Sequence, residues 1–576
     1  MFTHRRAVVC LSILLVSATT VVSQAPQPTQ PEVTPTFRAN THLVLVDVVV
    51  KDKKGSPVTG LKAEDFSIKE KGKNQKITFF TAPEQNIVPA SAAPEGISSN
   101  EPQYRSPGGP LTVLLIDAAN TPFKDQAYAR QQMLQFVKQQ YKPGQHVAVM
   151  TLTNTLGVLQ DFTSDPDVLL KAIEHIRPQE QEMPKTGAPP VVVNSGGGQG
   201  NAAVPLGVNQ ELRAFQNIQL AYVLDRRVQT TLAGMRSLSR ILGGIPGRKS
   251  VIWLTAAFPF SLIPENRDIT GAELAESLPT IDQLGIGTRS AGSIASVQRQ
   301  QHAQEIREAA AQLASAQIAI YPVDVRGLVS GMEPTMDDLP ATQLDTVSEG
   351  AQVKLSDVTA SQETMRALAQ ETGGVAYINQ NEIKQGVALA MQDTSAAYTI
   401  GYYPEDKKMD GKYRPIKVKV DRDGVEVRSR RGYYAIDPGL TKNLTPEQQV
   451  AEALRDRAPD TLVTFKAQAK PGEAGKLGVT FLVNADTVSA EDASGGNKKL
   501  NVAFYAAVFA TDGKMLANQS MKVDQAFPAD TYKQIREKGI LLQMDVAAPT
   551  GANELRLAVR DNRTGSVGTL TLPLHP

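Results

Sequence analysis

The chain has 576 residues, with 60 Lys and Arg against 59 Asp and Glu and a formal net charge of +1. That length calls for about three or four domains, and a near-neutral balance with no basic patch of interleaved aromatics excludes a nucleic-acid partner on electrostatic grounds. The single cysteine is Cys10; once the segment around it is removed, disulfides, thiolate metal sites and cysteine nucleophiles are excluded together.

Residues 1–25 read as a signal peptide: His4, Arg5 and Arg6 give a charged start, Ala7 to Val22 is apolar or small, and cleavage follows Ser23 or Ala25. The alternative is an uncleaved anchor, but the run is short for a spanning helix. The expected location is therefore periplasmic or extracellular, with no membrane span after cleavage. Residues 26–36, rich in Pro, Gln and Thr, form a flexible leader. Residues 37–82 alternate short strands with Gly/Pro turns and predict a small β-sandwich-like module. Within it Asp65 caps a turn above a buried Phe66. Residues 83–109 are a Pro/Ser/Ala linker.

From residue 110 to 437 strands alternate with helices, which predicts an α/β unit around a mostly parallel sheet. Leu111 to Ile116 is a continuous apolar run, as expected of a strand buried on both faces. It ends in Asp117, which places a carboxylate at the crevice where open α/β sheets bind ligands. His146–Leu152, Ser250–Thr255, Gln317–Asp324, Val375–Ile378 and Ala397–Tyr402 read as further strands, Leu156–Phe162 as a hairpin partner with Ser164 and Asp165 capping the helix after it, and about Gln210 to Leu242 as a long helix. Lys417–Val420 and Gly424–Arg428 predict an edge hairpin. Three long insertions fall at about 178–208, 259–297 and 328–361. The first contains Ser195-Gly-Gly-Gly-Gln-Gly, but no Lys-Ser or Lys-Thr follows, which excludes a phosphate loop. Residues 438–458 are a linker helix with Thr445 as N-cap and Pro446 at its first position. Residues 459–576 predict a second β-sandwich of about seven strands.

Asp117-Ala-Ala-Asn-Thr121 after a buried strand, Gly247-Arg-Lys-Ser-Val-Ile-Trp-Leu-Thr and Ile320-Tyr-Pro-Val-Asp-Val-Arg-Gly-Leu, in this order and spacing, resemble a von Willebrand factor A domain. The closer resemblance is to von Willebrand factor A-related proteins secreted by bacteria, and it covers roughly Phe37 to Ala435. It implies a doubly wound, mostly parallel sheet, flanked here by the small N-terminal β module and the C-terminal sandwich. It also implies a metal-ion-dependent adhesion site, in which hydroxyls and carboxylates hold Mg²⁺ or another divalent cation and leave a position for a partner's carboxylate. Asp117 matches the first Asp of that pattern and Thr121 its second Ser, and Thr230 or Thr231 matches the later Thr. Ala119 stands where the first Ser belongs, and Ala256-Ala257 where the second Asp belongs, so the site is degenerate. Asn120 can add an amide oxygen and Asp125 a water-mediated contact. The competing reading of Asp117 is a cap on the strand–helix turn.

No Gly-x-Ser-x-Gly elbow, Ser/His/Asp set or metal-spaced histidine pair is present. Asp324 and Arg326 suit a salt bridge or turn cap, and Tyr402, Tyr403, Tyr433 and Tyr434 suit edge-strand and core packing rather than an aromatic binding surface. The first expectation is thus an exported binding or adhesion-type protein, not an enzyme, whose partner is a protein or cell-surface polymer. The alternatives are a metal-assisted hydrolase using Asp117 and Thr121, with Asp161 or Asp165 converging on them, and an envelope assembly scaffold without a ligand.

Overall fold

The computed structural model describes residues 43–83, 96–104, 111–142, 145–179, 206–258, 305–327, 358–359, 361–406, 408–435, 444–456 and 458–574. The segments expected to be a signal peptide and a leader, and most of the three insertions, lie outside the described residues. The elements follow in chain order. β1 (Val44–Asp52), β2 (Phe66–Glu70), β3 (Lys73–Gln75) and β4 (Phe79–Thr81) precede a two-residue strand, β5 (Ser98–Ser99). Then come β6 (Leu111–Asp117), α1 (Phe123–Gln139), β7 (His146–Leu152), β8 (Leu156–Thr163), α2 (Pro166–Glu174), α3 (Leu206–Gly243), β9 (Lys249–Thr255), β10 (Ile318–Asp324) and α4 (Ile383–Ser395). β11 (Ala397–Tyr402), β12 (Tyr413–Val420), β13 (Val425–Ser429), β14 (Gly432–Tyr434) and α5 (Pro446–Ala453) follow. The last part holds β15 (Phe465–Pro471), β16 (Lys476–Val483), β17 (Ala490–Asp492), β18 (Lys498–Phe509), β19 (Met515–Phe527), α6 (Ala529–Lys538), β20 (Ile540–Ala547), β21 (Glu554–Asp561) and β22 (Val567–Pro573).

The central sheet has the order β10-β9-β6-β7-β8. Its first four strands are parallel, and β8 returns antiparallel along β7 at the edge. Every residue of β6, β9 and β10 is buried, because helices cover both faces. Val113, Leu115 and Trp253 pack against Leu232, Met235 and Leu238 of α3 and against helical residues 305–315. Leu114, Ile116 and Ile252 pack on the other face against Met133 and Phe136 of α1, Leu169 and Ile173 of α2, and Val387 and Met391 of α4. Each such fully buried side chain contributes about 1.5–3 kcal/mol. The expected strand at 375–378 is reduced to one parallel bridge, Val323 to Tyr377.

Several expectations about the parts around the central sheet are corrected. The 37–82 segment is not a module by itself. β1 lies antiparallel between β11 and β13, and β2 lies between β12 and β3, giving two sheets of order β13-β1-β11-β4 and β14-β12-β2-β3. Ala397–Tyr402 therefore leaves the parallel sheet to face β1. The reason is burial: Val44, Val46, Val48 and Val50, with Tyr398, Ile400 and Tyr402 beside them on β11, need an apolar layer opposite, which Phe66, Ile68 and Ile416 of the second sheet supply. The 417–428 hairpin does not form, since β12 and β13 enter different sheets. The 83–109 linker is not purely a linker, because β5 pairs with β15. Buried Asn100 fixes it there, donating to the Asp460 and Val463 carbonyls and accepting from Phe465 N. The C-terminal part has eight strands, β15 to β22, rather than about seven, in sheets β20-β16-β15-β5 and β17-β18-β21-β22 with β19 on β18.

Local readings hold. Asp65 accepts from Lys62 N beside buried Phe66, Asp165 caps α2, and Thr445 forms a capping box with Gln448 before Pro446. Tyr402 and Tyr433 donate to Glu70, and Tyr434 packs edge-on against Tyr413. The α/β unit docks on the C-terminal part through Arg240 of α3. Its guanidinium donates to Asp460 (3.0 Å) and Asp456 (2.8 Å), while Glu452 lies 3.8 Å away.

Candidate functional site

The carboxyl ends of β6, β9 and β10 lie side by side. Their register puts Leu254 beside Ile116 and Thr255 beside Asp324, so Asp117, Thr255 and Asp324 form one row across the crevice floor. The turn after β6 is held from both sides. Ala119 N donates to Leu152 O, and buried Gln126 of α1 donates to the Thr121 and Ala118 carbonyls.

Asp117 is completely buried. Oδ1 accepts from Asn120 N (3.0 Å) and Asn120 Nδ2 (3.2 Å). Oδ2 accepts from Asn120 Nδ2 (2.9 Å), Trp253 Nε1 (3.0 Å) and Thr255 Oγ1 (3.0 Å). Burial pushes this carboxyl above its ordinary 3.8, against the pull of the hydrogen bonds from Asn120, Trp253 and Thr255. Asn120 links the turn to α3: Nδ2 also donates to Thr231 Oγ1 (2.8 Å), and Oδ1 accepts from Arg227 Nε (3.1 Å). Thr231 Oγ1 in turn donates to Arg227 O. Thr121 Oγ1 accepts from Ala256 N. Thr230, partly exposed, is not a partner of Asp117.

The predicted ligands Asp117, Thr121 and Thr231 thus converge, but their oxygens face protein donors. A carboxylate offers about four lone-pair sites, and here the four donor groups on it are fixed. Ala119, Ala256 and Ala257 add no side-chain oxygen, and a guanidinium stands beside the turn. This donor set does not fit a hard divalent cation, which needs oxygens free to point at it. Among the described residues no three His, Cys, Asp or Glu gather in a metal-holding group. Asn120 was expected to present an amide oxygen to the ion; the network turns its nitrogen toward Asp117 instead.

Asp324 is closed in the same way. Arg326 grips it with two hydrogen bonds, Nε to Oδ1 (2.9 Å) and Nη2 to Oδ2 (2.7 Å), and Gln362 Nε2 adds a third (3.2 Å). Salt bridge and turn cap both occur, since Arg326 N also donates to Oδ1. Asp125 is pushed up by burial, with Asp324 acting in the same direction against Lys124 and Arg326. Asp161 and Asp165 do not converge on Asp117. β8 runs back down the sheet, so Thr163 faces Val147 while Asp117 faces Leu152, which puts Asp165 roughly 17 Å or more away at about 3.3 Å per residue. Asp161 follows Gln160, which faces Val149, about three rungs or roughly 10 Å below the Asp117 level and on the edge strand.

Three contributors were not read from the sequence. Trp253 and Thr255 were seen as strand residues, and Arg227 as an ordinary helix residue. The strand register carried a signal for Thr255, because any residue level with Asp117 on an adjacent parallel strand faces the same crevice. Nothing local marked Arg227.

No protein-family model matches the chain, and no curated protein does. Similar solved structures include an aerotolerance-related membrane protein from Bacteroides fragilis, with 13% identity over 50% of this chain and 98% of that one and a TM-score of 0.23. A von Willebrand factor type A protein from Catenulispora acidiphila has 9% identity over 93% and 74% of the two chains, with a TM-score of 0.19. The ArnB paralogue VWA2 from Sulfolobus acidocaldarius has 11% identity over 68% and 83%, with a TM-score of 0.18. Likeness of this degree assigns no family. Among the described residues no helix is long and apolar enough to cross a membrane.

Proposed function

We propose that the chain is an exported binding protein of adhesion or assembly type, not an enzyme. In this reading a von Willebrand A-like unit engages a protein or surface polymer at the crevice above Asp117, without a divalent cation. The observation that carries it is the closed state of the two crevice carboxylates. Asp117 and Asp324 are each occupied by internal donors, so neither is poised as base, nucleophile or metal ligand. What the crevice keeps is a rigid turn with the half-exposed Phe123 at its rim (50% exposed), on an α/β frame whose strand ends are a customary place for ligands.

The test is a photo-crosslinking residue at Phe123, compared with one at exposed Met515 on the C-terminal part, in cells exporting the full chain. The expected result is a discrete macromolecular adduct from position 123 that persists with EDTA. Adducts from position 515 alone would move recognition to the sandwich, and loss of the 123 adduct with EDTA would restore a metal-dependent site.

A further inference from the structure

We propose that Arg227 is a carboxylate receptor: the crevice takes an acidic side chain of its partner directly on this guanidinium, with no bridging ion. The inference rests on the reading of the crevice as a binding site and names the chemistry that site recognises.

The geometry is that of a prepared fork. Nε donates to Asn120 Oδ1 at 3.1 Å, and Asn120 is locked to Asp117 and Thr231. One edge of the planar group is therefore fixed. The two terminal nitrogens hold no hydrogen bond among the described residues, and the side chain is only partly buried. A guanidinium restrained at Nε and, among the described residues, unbonded at its terminal nitrogens suits a planar anion, because a carboxylate can take parallel hydrogen bonds from it. Restraint matters: less rotamer entropy is lost on binding when the donor is already held.

Charge points the same way. Asp117 lies within electrostatic reach of Arg227 but not in an ion pair with it, and its oxygens are spent on neutral donors. Burial lowers the Arg227 pKa, with Asp117 pulling it back up, so the guanidinium is a cation short of solvation. A second carboxylate arriving from outside would restore what burial removes. The nearest acid along α3, Asp225, is two positions away, about 200° around the helix, and cannot share that face.

The experiment uses the full mature chain and its only tryptophan, Trp253, which donates to Asp117 and so reports on this turn. N-acetyl-tetraglutamate is titrated in buffer containing EDTA, with N-acetyl-tetraglutamine as control. Expected is a saturable change in Trp253 emission with the acidic peptide only, weakened at least ~10-fold in Arg227→Gln and less in Arg227→Lys. Circular dichroism of each variant excludes unfolding as the cause. No saturable change, a change that appears only with added Mg²⁺, or equal binding in Arg227→Gln would overturn the proposal. The crosslinking experiment separates the two readings. An adduct at position 123 with no peptide response removes the carboxylate chemistry alone, whereas loss of the adduct removes the crevice as a binding site.

Discussion

Replacing Asp117 with Ala tests the closed-crevice argument directly. Truncation leaves Thr255 Oγ1 an alternative acceptor in Ala257 O (2.8 Å), and leaves one amide hydrogen of Asn120 its bond to Thr231. Trp253 Nε1, Asn120 N and the second amide hydrogen have no such alternative. A buried donor without a partner costs about 1–3 kcal/mol. Relief of a carboxylate held unwillingly in the interior offsets part of this, so a net loss of about 3 kcal/mol is expected. The assay is urea unfolding followed at Trp253, with circular dichroism on the same samples, so that the transition of the central unit is read separately from the rest. A loss under about 1 kcal/mol would refute the view that Asp117 is a structural pin. The pH dependence has a fixed sign. Because the folded carboxyl titrates above 3.8, its contribution favours folding at low pH and is lost as pH rises through the folded value. Asp117→Asn should remove that part of the slope.

Three further outcomes follow from the same structure. Arg240→Met leaves Asp456 and Asp460 buried without their cation and should cost about 3–5 kcal/mol, read as separate unfolding of the C-terminal part in calorimetry; one unchanged cooperative transition would contradict it. Gly244→Ala would place a Cβ 1.8 Å from the Thr461 carbonyl oxygen, so the α3–sandwich contact should open and become sensitive to limited proteolysis near residue 461; full resistance would show that the contact yields. Lys249 is buried, donates to Ile245 O, and is lowered to about 7 by burial against the pull of Asp47. The unfolded chain then holds the proton more tightly between about 7 and 10.5, so stability should rise with pH across that window, by at most about 5 kcal/mol. Lys249→Met should flatten the rise, and an unaltered profile would assign it to another group.

What the sequence disclosed depended on range. The parallel strands were legible because β6, β9 and β10 are buried on both faces and read as unbroken apolar runs. Caps at Asp65, Asp165 and Thr445 were legible because each acts within three residues. The partners of β1 were not, since Val44 pairs with Tyr402 and no periodicity links segments so far apart. β5 was hidden for another reason: two serines carry no strand signal, and buried Asn100 after them does the docking. At the site, Asp117 announced itself at the end of a strand. Trp253 and Arg227 reach the same turn only through tertiary packing, which turned an expected ion site into a set of internal hydrogen bonds.

The interleaving of β1–β4 with β11–β14 has a consequence for biogenesis. The two halves of that double sheet are separated by the whole parallel-sheet unit, so the first half must wait for the second to be synthesised. Val44 to Val50 stays without β11 and β13 on either side, and without Ile416 opposite, until residues near 430 are available. Closing so long a loop from an unstructured chain is slow, whereas prior folding of the intervening unit carries Thr81 and Thr399, which pair in the final register, toward each other. The intervening unit therefore acts as the template for its own frame. Variants that slow it should expose an apolar strand and appear first as aggregates rather than as misfolded monomers.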